Sequence, residues 1–297
     1  MGCYEETLKR KSKTSKERIR CEIDKDSSTS SDGGFMEMGK MNQSSFPKES
    51  SRRRVILVLQ EHDVEKCVYE PDVGRNLLLD EEIYVLHYPV KHESEAPSAL
   101  KNILDSDQVR PGAMLLQSPF DREVYEDALV APQRFALAKH MYFSTLCMYL
   151  GAKSVSVTQV AIETQDGKTT FNVAANRNGV GGGKVNIENE RLKSFVNSMQ
   201  LEDHFVGGPP DVNAAENMMR RTGLWTDHNL RTLLAMRSAG GNQLLSRKLV
   251  LNLSSELKSN LNVAARVNVP SFVKFSSDYN RVVREKYEFS LTVLVEF

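Results

Sequence analysis

From Leu249 to Val269 every odd position is Leu, Ser, Ala or Val, and none of them carries a charge. Eight of the ten even positions are polar: Asn252, Ser254, Glu256, Lys258, Asn260, Asn262, Arg266 and Asn268. A period of two places alternate side chains on opposite faces of a strand, so the stretch predicts a ribbon with one apolar face. At about 3.3 Å per residue it would run roughly 70 Å unbroken, far beyond an ordinary strand of about 5 to 6 residues. Ser255, Ser259 and Pro270 are the expected places for a bulge or break. The alternation resumes at Tyr287, Phe289, Leu291, Val293, Val295 and Phe297. The two arms predict a long antiparallel C-terminal hairpin with both apolar faces on one side.

Elsewhere the pattern changes period. The run Val55 to Leu59 is continuously apolar and reads as a strand buried on both faces. A second strand is expected over Ile83 to Tyr88, after the turn signal Pro71 to Gly74. Loops are expected around Pro89, Pro97, Pro111 and Pro119, with a short helix near Ala99 to Asp105. Pro132 suits a first helical position and Gly151 a position just past a helix end. The helix they bracket is apolar nearly all round, as expected of one inside the core. Asp166-Gly167 joins two β-prone runs as a tight hairpin, and a glycine-rich loop follows around 176 to 184. Leu192, Phe195, Val196 and Met199 share a helical face, and Asp211 and Asp227 are expected N-caps of two helices ending at Gly223 and Gly240.

These elements predict an α+β fold: a twisted, mostly antiparallel sheet with a long C-terminal β-hairpin, covered by several helices. Residues 27 to 54 are rich in Ser, Gly, Met, Gln and Lys, too poor in branched apolar side chains to offset the entropy of ordering. Residues 1–52 are therefore expected to be a disordered, basic Ser/Lys-rich tail. Residues 53–297 are expected to form a single α+β domain with a sub-boundary allowed near 151.

Composition narrows the function classes. Hydrophobic residues make up 40% and charged residues 26% of the 297, which excludes a chain disordered throughout. Lys+Arg and Asp+Glu both number 39, so no global field draws the protein to nucleic acid, and no specific nucleic-acid partner is expected. The charge is uneven: residues 1 to 54 hold 13 Lys and Arg against 9 Asp and Glu. Cys3, Cys21, Cys67 and Cys147 are widely separated without a CxxC pair, which fits a reducing compartment. With no secretory h-region or transmembrane run, a cytoplasmic location is expected.

Several groups are candidates for chemistry. Met1-Gly2-Cys3 precedes a segment, 9 to 20, with seven Lys and Arg and one Glu. Gly2 and Cys3 are candidate acylation positions that, with the basic patch, would hold the protein at the anionic inner face of a membrane. Glu6 stands where the acylation pattern wants Ser or Thr. Glu61, His62, Asp63, Glu65 and Cys67 crowd the end of the first strand, and His87 ends the second. Were those strands neighbours, His62, Asp63 and His87 could hold a divalent metal for an enzyme. The GVGGGK stretch falls one residue short of a phosphate loop, and Val185 replaces its Ser or Thr. No nucleophile elbow or zinc-protease motif is present, and no cofactor is expected.

The feature that exceeds ordinary globular statistics is the hairpin, so binding or self-association through it is the leading expectation, with a homo-oligomer or protein partner. Its apolar positions Leu249, Leu251, Leu253, Leu257, Leu261, Val263, Val267 and Val269 are the candidate contact residues. The same alternation suits a pore-forming or membrane-damaging effector that closes a barrel from several copies.

Overall fold

A computed structural model describes residues 46–69, 73–90, 96–164, 167–173, 190–240, 243–267 and 288–297, together with Tyr279 and Val282. The described chain starts ahead of the boundary at 52 that composition suggested. Phe46 is buried, meets the Tyr84 ring edge-on at 5.3 Å, and lies under the Arg53 guanidinium. A 3-10 turn at Ser50–Arg53 then leads into the first strand.

Two sheets make up the α+β fold. The first has strand order β2-β1-β3-β4, built from β1 (Val55–Gln60), β2 (Ile83–Tyr88), β3 (Met114–Gln117) and β4 (Tyr125–Asp127). β1 and β2 run parallel with Val55 beside Ile83 and Leu59 beside His87, and the other pairings are antiparallel. The second sheet is antiparallel throughout, with order β6-β5-β9-β8 and β7 also on β5. Its strands are β5 (Ser154–Thr164), β6 (Gly167–Asn172), β7 (Glu202–His204), β8 (Ser246–Asn252) and β9 (Glu288–Glu296).

Eight α-helices are described: α1 (Glu61–Tyr69), α2 (Val73–Leu79), α3 (Ser98–Asp105), α4 (Ala131–Tyr149), α5 (Glu190–Ser198), α6 (Val212–Arg221), α7 (His228–Ser238) and α8 (Lys258–Ala265). The apolar run of β1 is divided between two clusters. Val55, Leu57 and Leu59 join a large core with α4 and the second sheet, while Ile56 and Val58 pack with Ala99, Leu100 and Ile103 of α3. Every position in Val55–Leu59 is buried, which is why the run carries no alternation. The expected caps form: Asp211 accepts from the Ala214 N–H, and Asp227 accepts from the N–H groups of Asn229 and Leu230. Gly223 takes φ 72°, the left-handed conformation that ends α6 at little cost to glycine.

The hairpin pairing is present, but the 21-residue ribbon is not. β8 pairs antiparallel with β9 from Ser246 beside Glu296 to Asn252 beside Ser290, then stops. A turn held by Asn252, whose Oδ1 accepts from the N–H groups of Ser254 and Ser255, leads into α8. Leu257, Leu261 and Val263 therefore belong to a helical segment, and Val269 lies outside the described residues. The physical reason is an arithmetic coincidence. Leu253, Leu257 and Leu261 recur every fourth position, which satisfies both a strand period of two and the i, i+4 spacing of a helix face. The polar side chains of Ser254, Ser255 and Glu256 then favour a turn over a continued ladder.

α8 is fixed against the first sheet by polar contacts. Asn260 donates to the Gln117 carbonyl at 2.7 Å and accepts from Arg54. Glu82 takes both Arg54 and Arg266. β3 and β4 fall where proline suggested loops, and α1 follows β1 directly. In α1, Glu61 and Asp63 sit in the first turn, favourable to the helix dipole, and Val64 and Cys67 are buried one turn apart. No helix among the described residues is long and apolar enough to cross a membrane.

Candidate functional site

The residues expected to hold a metal lie where β1 and β2 end side by side. There, Gln60, Glu61, His62, Glu65, Tyr88 and Pro89 line a depression of about 460 Å³. The parallel pairing and the start of α1 directly after β1 create it, since strand ends of parallel sheets leave a crevice. His62 Nε2 lies 3.0 Å from Asp63 Oδ1, and Lys66 Nζ is 3.9 Å from the same atom. Asp63 is thus taken up within its own helix, and His87 does not line the depression. No group of three His, Cys, Asp or Glu among the described residues could hold a metal ion. His62, Asp63 and His87 form no such group among the described residues. Neighbouring strands bring the segments together, but β2 places His87 within its ladder, opposite Leu59.

The hairpin residues are found in the interior. Leu249, Leu251, Leu253, Leu257, Leu261 and Val263 are all buried in the large core, and Val267 packs against it. Their apolar parity is satisfied by the protein's own α4, β5 and β9 side. Gly2 and Cys3 lie outside the described residues.

What remains open on this hairpin is its edge. Among the described residues β8 has β9 as its sole strand neighbour. The direction of its backbone groups follows from two bonds: Phe297 N–H donates to the Leu245 carbonyl and Leu253 N–H to the Phe289 carbonyl, both at 2.8 Å. In an antiparallel ladder the residues that exchange such bonds alternate. The odd positions of β8 therefore face β9, and the N–H and C=O groups of Ser246, Lys248, Val250 and Asn252 face away from it. Val250 is 56% exposed and Leu245, just before the strand, 75%. Arg247 is turned instead toward α7, its Nη1 2.9 Å from Met236 Sδ. Edge strands are commonly blunted by charges, prolines or bulges, and β8 carries a single outward charge, Lys248. Sequence reading assigned contact to the odd, apolar positions. The even positions were missed because exposure at an edge leaves no hydrophobic signal.

Two buried polar centres on α4 also escaped the sequence reading. Lys139 is fully buried, and its Nζ donates to Glu256 Oε1 at 2.7 Å, Asp227 Oδ2 at 3.1 Å and Ser255 Oγ at 3.3 Å. It ties α4 to the cap of α7 and to the turn after β8. The adjacent His140 is 1% exposed, and neither ring nitrogen has a hydrogen-bond partner. Burial pushes its imidazole below the ordinary value, opposed by the nearby Asp203 carboxylate. One turn on, the Ser144 hydroxyl donates to Asp203, and burial raises the Cys147 thiol well above its ordinary value, leaving it a poor nucleophile. A Lys-His pair in the middle of a largely apolar helix was the available signal for both centres.

The chain matches no known protein-family model, no curated protein and no solved structure.

Proposed function

We propose that the chain is a binding or self-associating protein that recruits an extended segment onto β8. The observation that carries this reading is the outward row of backbone donors and acceptors at Ser246, Lys248, Val250 and Asn252, accompanied by exposed Val250. Unpaired ladder groups supply affinity to an added strand, and alternate side chains supply selectivity. The buried Leu249 and Leu251 hold the strand in place from the core side, so the edge is presented rigidly. Because the apolar parity face is already covered by the protein core, association through this edge needs no refolding, whereas insertion of the hairpin into lipid would.

The reading is tested with Val250→Pro in the full chain. The outward Val250 N–H takes no part in the β8 to β9 ladder, so the proline removes a donor from the edge while leaving that ladder's bonds intact. The probe is a labelled synthetic peptide of alternating Val and Thr, followed by fluorescence anisotropy. Saturable binding that Val250→Pro weakens about tenfold or more supports the edge as the recognition element. Binding unchanged by the proline, or none at all, rejects it. Leakage of anionic vesicles by the native chain would favour the pore-forming alternative instead.

A further inference from the structure

Resting on the reading of β8 as a recruiting edge, we infer that its occupant is the β8 strand of a second copy of this chain, paired antiparallel across a two-fold axis at Val250. A two-fold interface uses the same patch on both partners, and an antiparallel edge strand is complementary to itself in its backbone groups. The chain's own properties suit this partner. Formal charge is zero at pH 7, so copies approach without net repulsion. The outward positions are Ser246, Lys248, Val250 and Asn252, with Lys248 the one charge among them.

That charge disfavours the registers that bring the two lysines together. Pairing about Lys248 would place two ammonium groups directly opposite one another, which is destabilising. Pairing about Val250 places Lys248 of one copy opposite Asn252 of the other at both ends, with the two Val250 side chains adjoining on the outer face. On the inner face Leu249 of each copy then stands opposite Leu251 of the other. Both are buried in their own cores, so the two sheets would continue as one and the cores would adjoin. The overlap spans only the five positions 248 to 252, so the association is expected to be weak and concentration-dependent.

The register gives a direct test with the full chain carrying Cys3→Ser and Cys21→Ser, since Cys67 and Cys147 are buried. Opposed residues that exchange ladder bonds have Cα atoms about 5.5 Å apart, within the range a disulfide spans. Val250→Cys should therefore cross-link to itself under mild oxidation at high protein concentration. Lys248→Cys should not, because its opposite is Asn252. Cross-linking of the mixture Lys248→Cys with Asn252→Cys should recover the dimer. Light scattering of the reduced proteins checks that each variant self-associates as the native chain does, and circular dichroism that each is folded. A Val250→Cys dimer at least about tenfold more abundant than the Lys248→Cys dimer supports the register. Self-association sensitive to Val250→Pro but without that preference overturns the register and leaves the edge reading standing. A strict monomer at high concentration overturns the second-copy inference, and the anisotropy of the Val/Thr peptide then decides the edge reading separately.

Discussion

Replacing Lys139 by Met keeps the unbranched shape and removes the ammonium from a fully enclosed position. Asp227 and Glu256 keep only 14% and 15% of their side-chain surface exposed, so both carboxylates are left close together without their shared cation. Breaking a buried ion pair from one side costs about 3 to 5 kcal/mol. The lower end applies here, because Asp227 retains the N–H groups of Asn229 and Leu230, and Glu256 retains the Ser255 hydroxyl at 2.7 Å. About 3 kcal/mol at about 2 to 4 °C per kcal/mol for a domain of this size predicts a fall in Tm of roughly 6 to 12 °C. The triple variant Lys139→Met, Asp227→Asn, Glu256→Gln removes all three charges while keeping a side-chain oxygen at 227 to cap α7. It should recover most of the loss, since the penalty lies in the unpaired charges and not in the volume. Urea unfolding of the native chain, the single and the triple variant measures both steps. A single variant that loses less than about 1 kcal/mol, or a triple variant no more stable than the single one, would refute the reasoning.

The remaining predictions concern other buried groups. His140 has a lowered folded pKa, so below about pH 6.5 the unfolded chain binds a proton that the native chain refuses. Stability should then fall with decreasing pH from about 6.5 down to that lowered value. His140→Leu should be neutral to about 1 kcal/mol stabilising at pH 7.5, with a larger advantage at pH 5.5; equal acid sensitivity in urea melts would contradict this. Leu291, fully buried in β9 opposite Leu251, should cost about 2 to 5 kcal/mol when changed to Ala, read from the same melts. Asp211→Ala removes the cap on the Ala214 N–H and should cost about 1 kcal/mol. Cys67 and Cys147 should resist maleimide in the native chain and react in urea, as followed by mass spectrometry.

Much of the fold was legible because core burial writes a period into the chain. β1 as a doubly buried strand, α4 between Pro132 and Gly151, and the Asp211 and Asp227 caps follow from local chemistry and are found in place. The end of the ribbon was not legible, because Leu253, Leu257 and Leu261 fit two periods at once, and the choice falls to the turn formed by Asn252 and to the docking of Asn260 on Gln117. β3 and β4 were hidden by Pro111 and Pro119, which lie outside the strands and bracket β3. Separation into two sheets, with a parallel pair in the first, depends on long-range pairing that no local pattern encodes. The candidate site was half legible. The hairpin was identified, but its apolar positions turned inward, and the edge positions carry polar or single apolar residues with no pattern of their own. Lys139 and His140 were hidden for a different reason: a polar group inside an apolar helix is explained only by its distant partners, 88 and 117 residues away for Lys139.

The proposed edge is most directly tested by amide hydrogen exchange, resolved residue by residue along β8, at low and high protein concentration. In dilute solution Leu249 and Leu251, whose N–H groups face β9, should be protected while Lys248 and Val250 exchange freely. At high concentration Lys248 and Val250 should gain protection. Equal protection of all four amides in dilute solution would mean the edge is already covered, and free exchange of Lys248 and Val250 at every concentration would mean that no copy adds to it; either result contradicts the account.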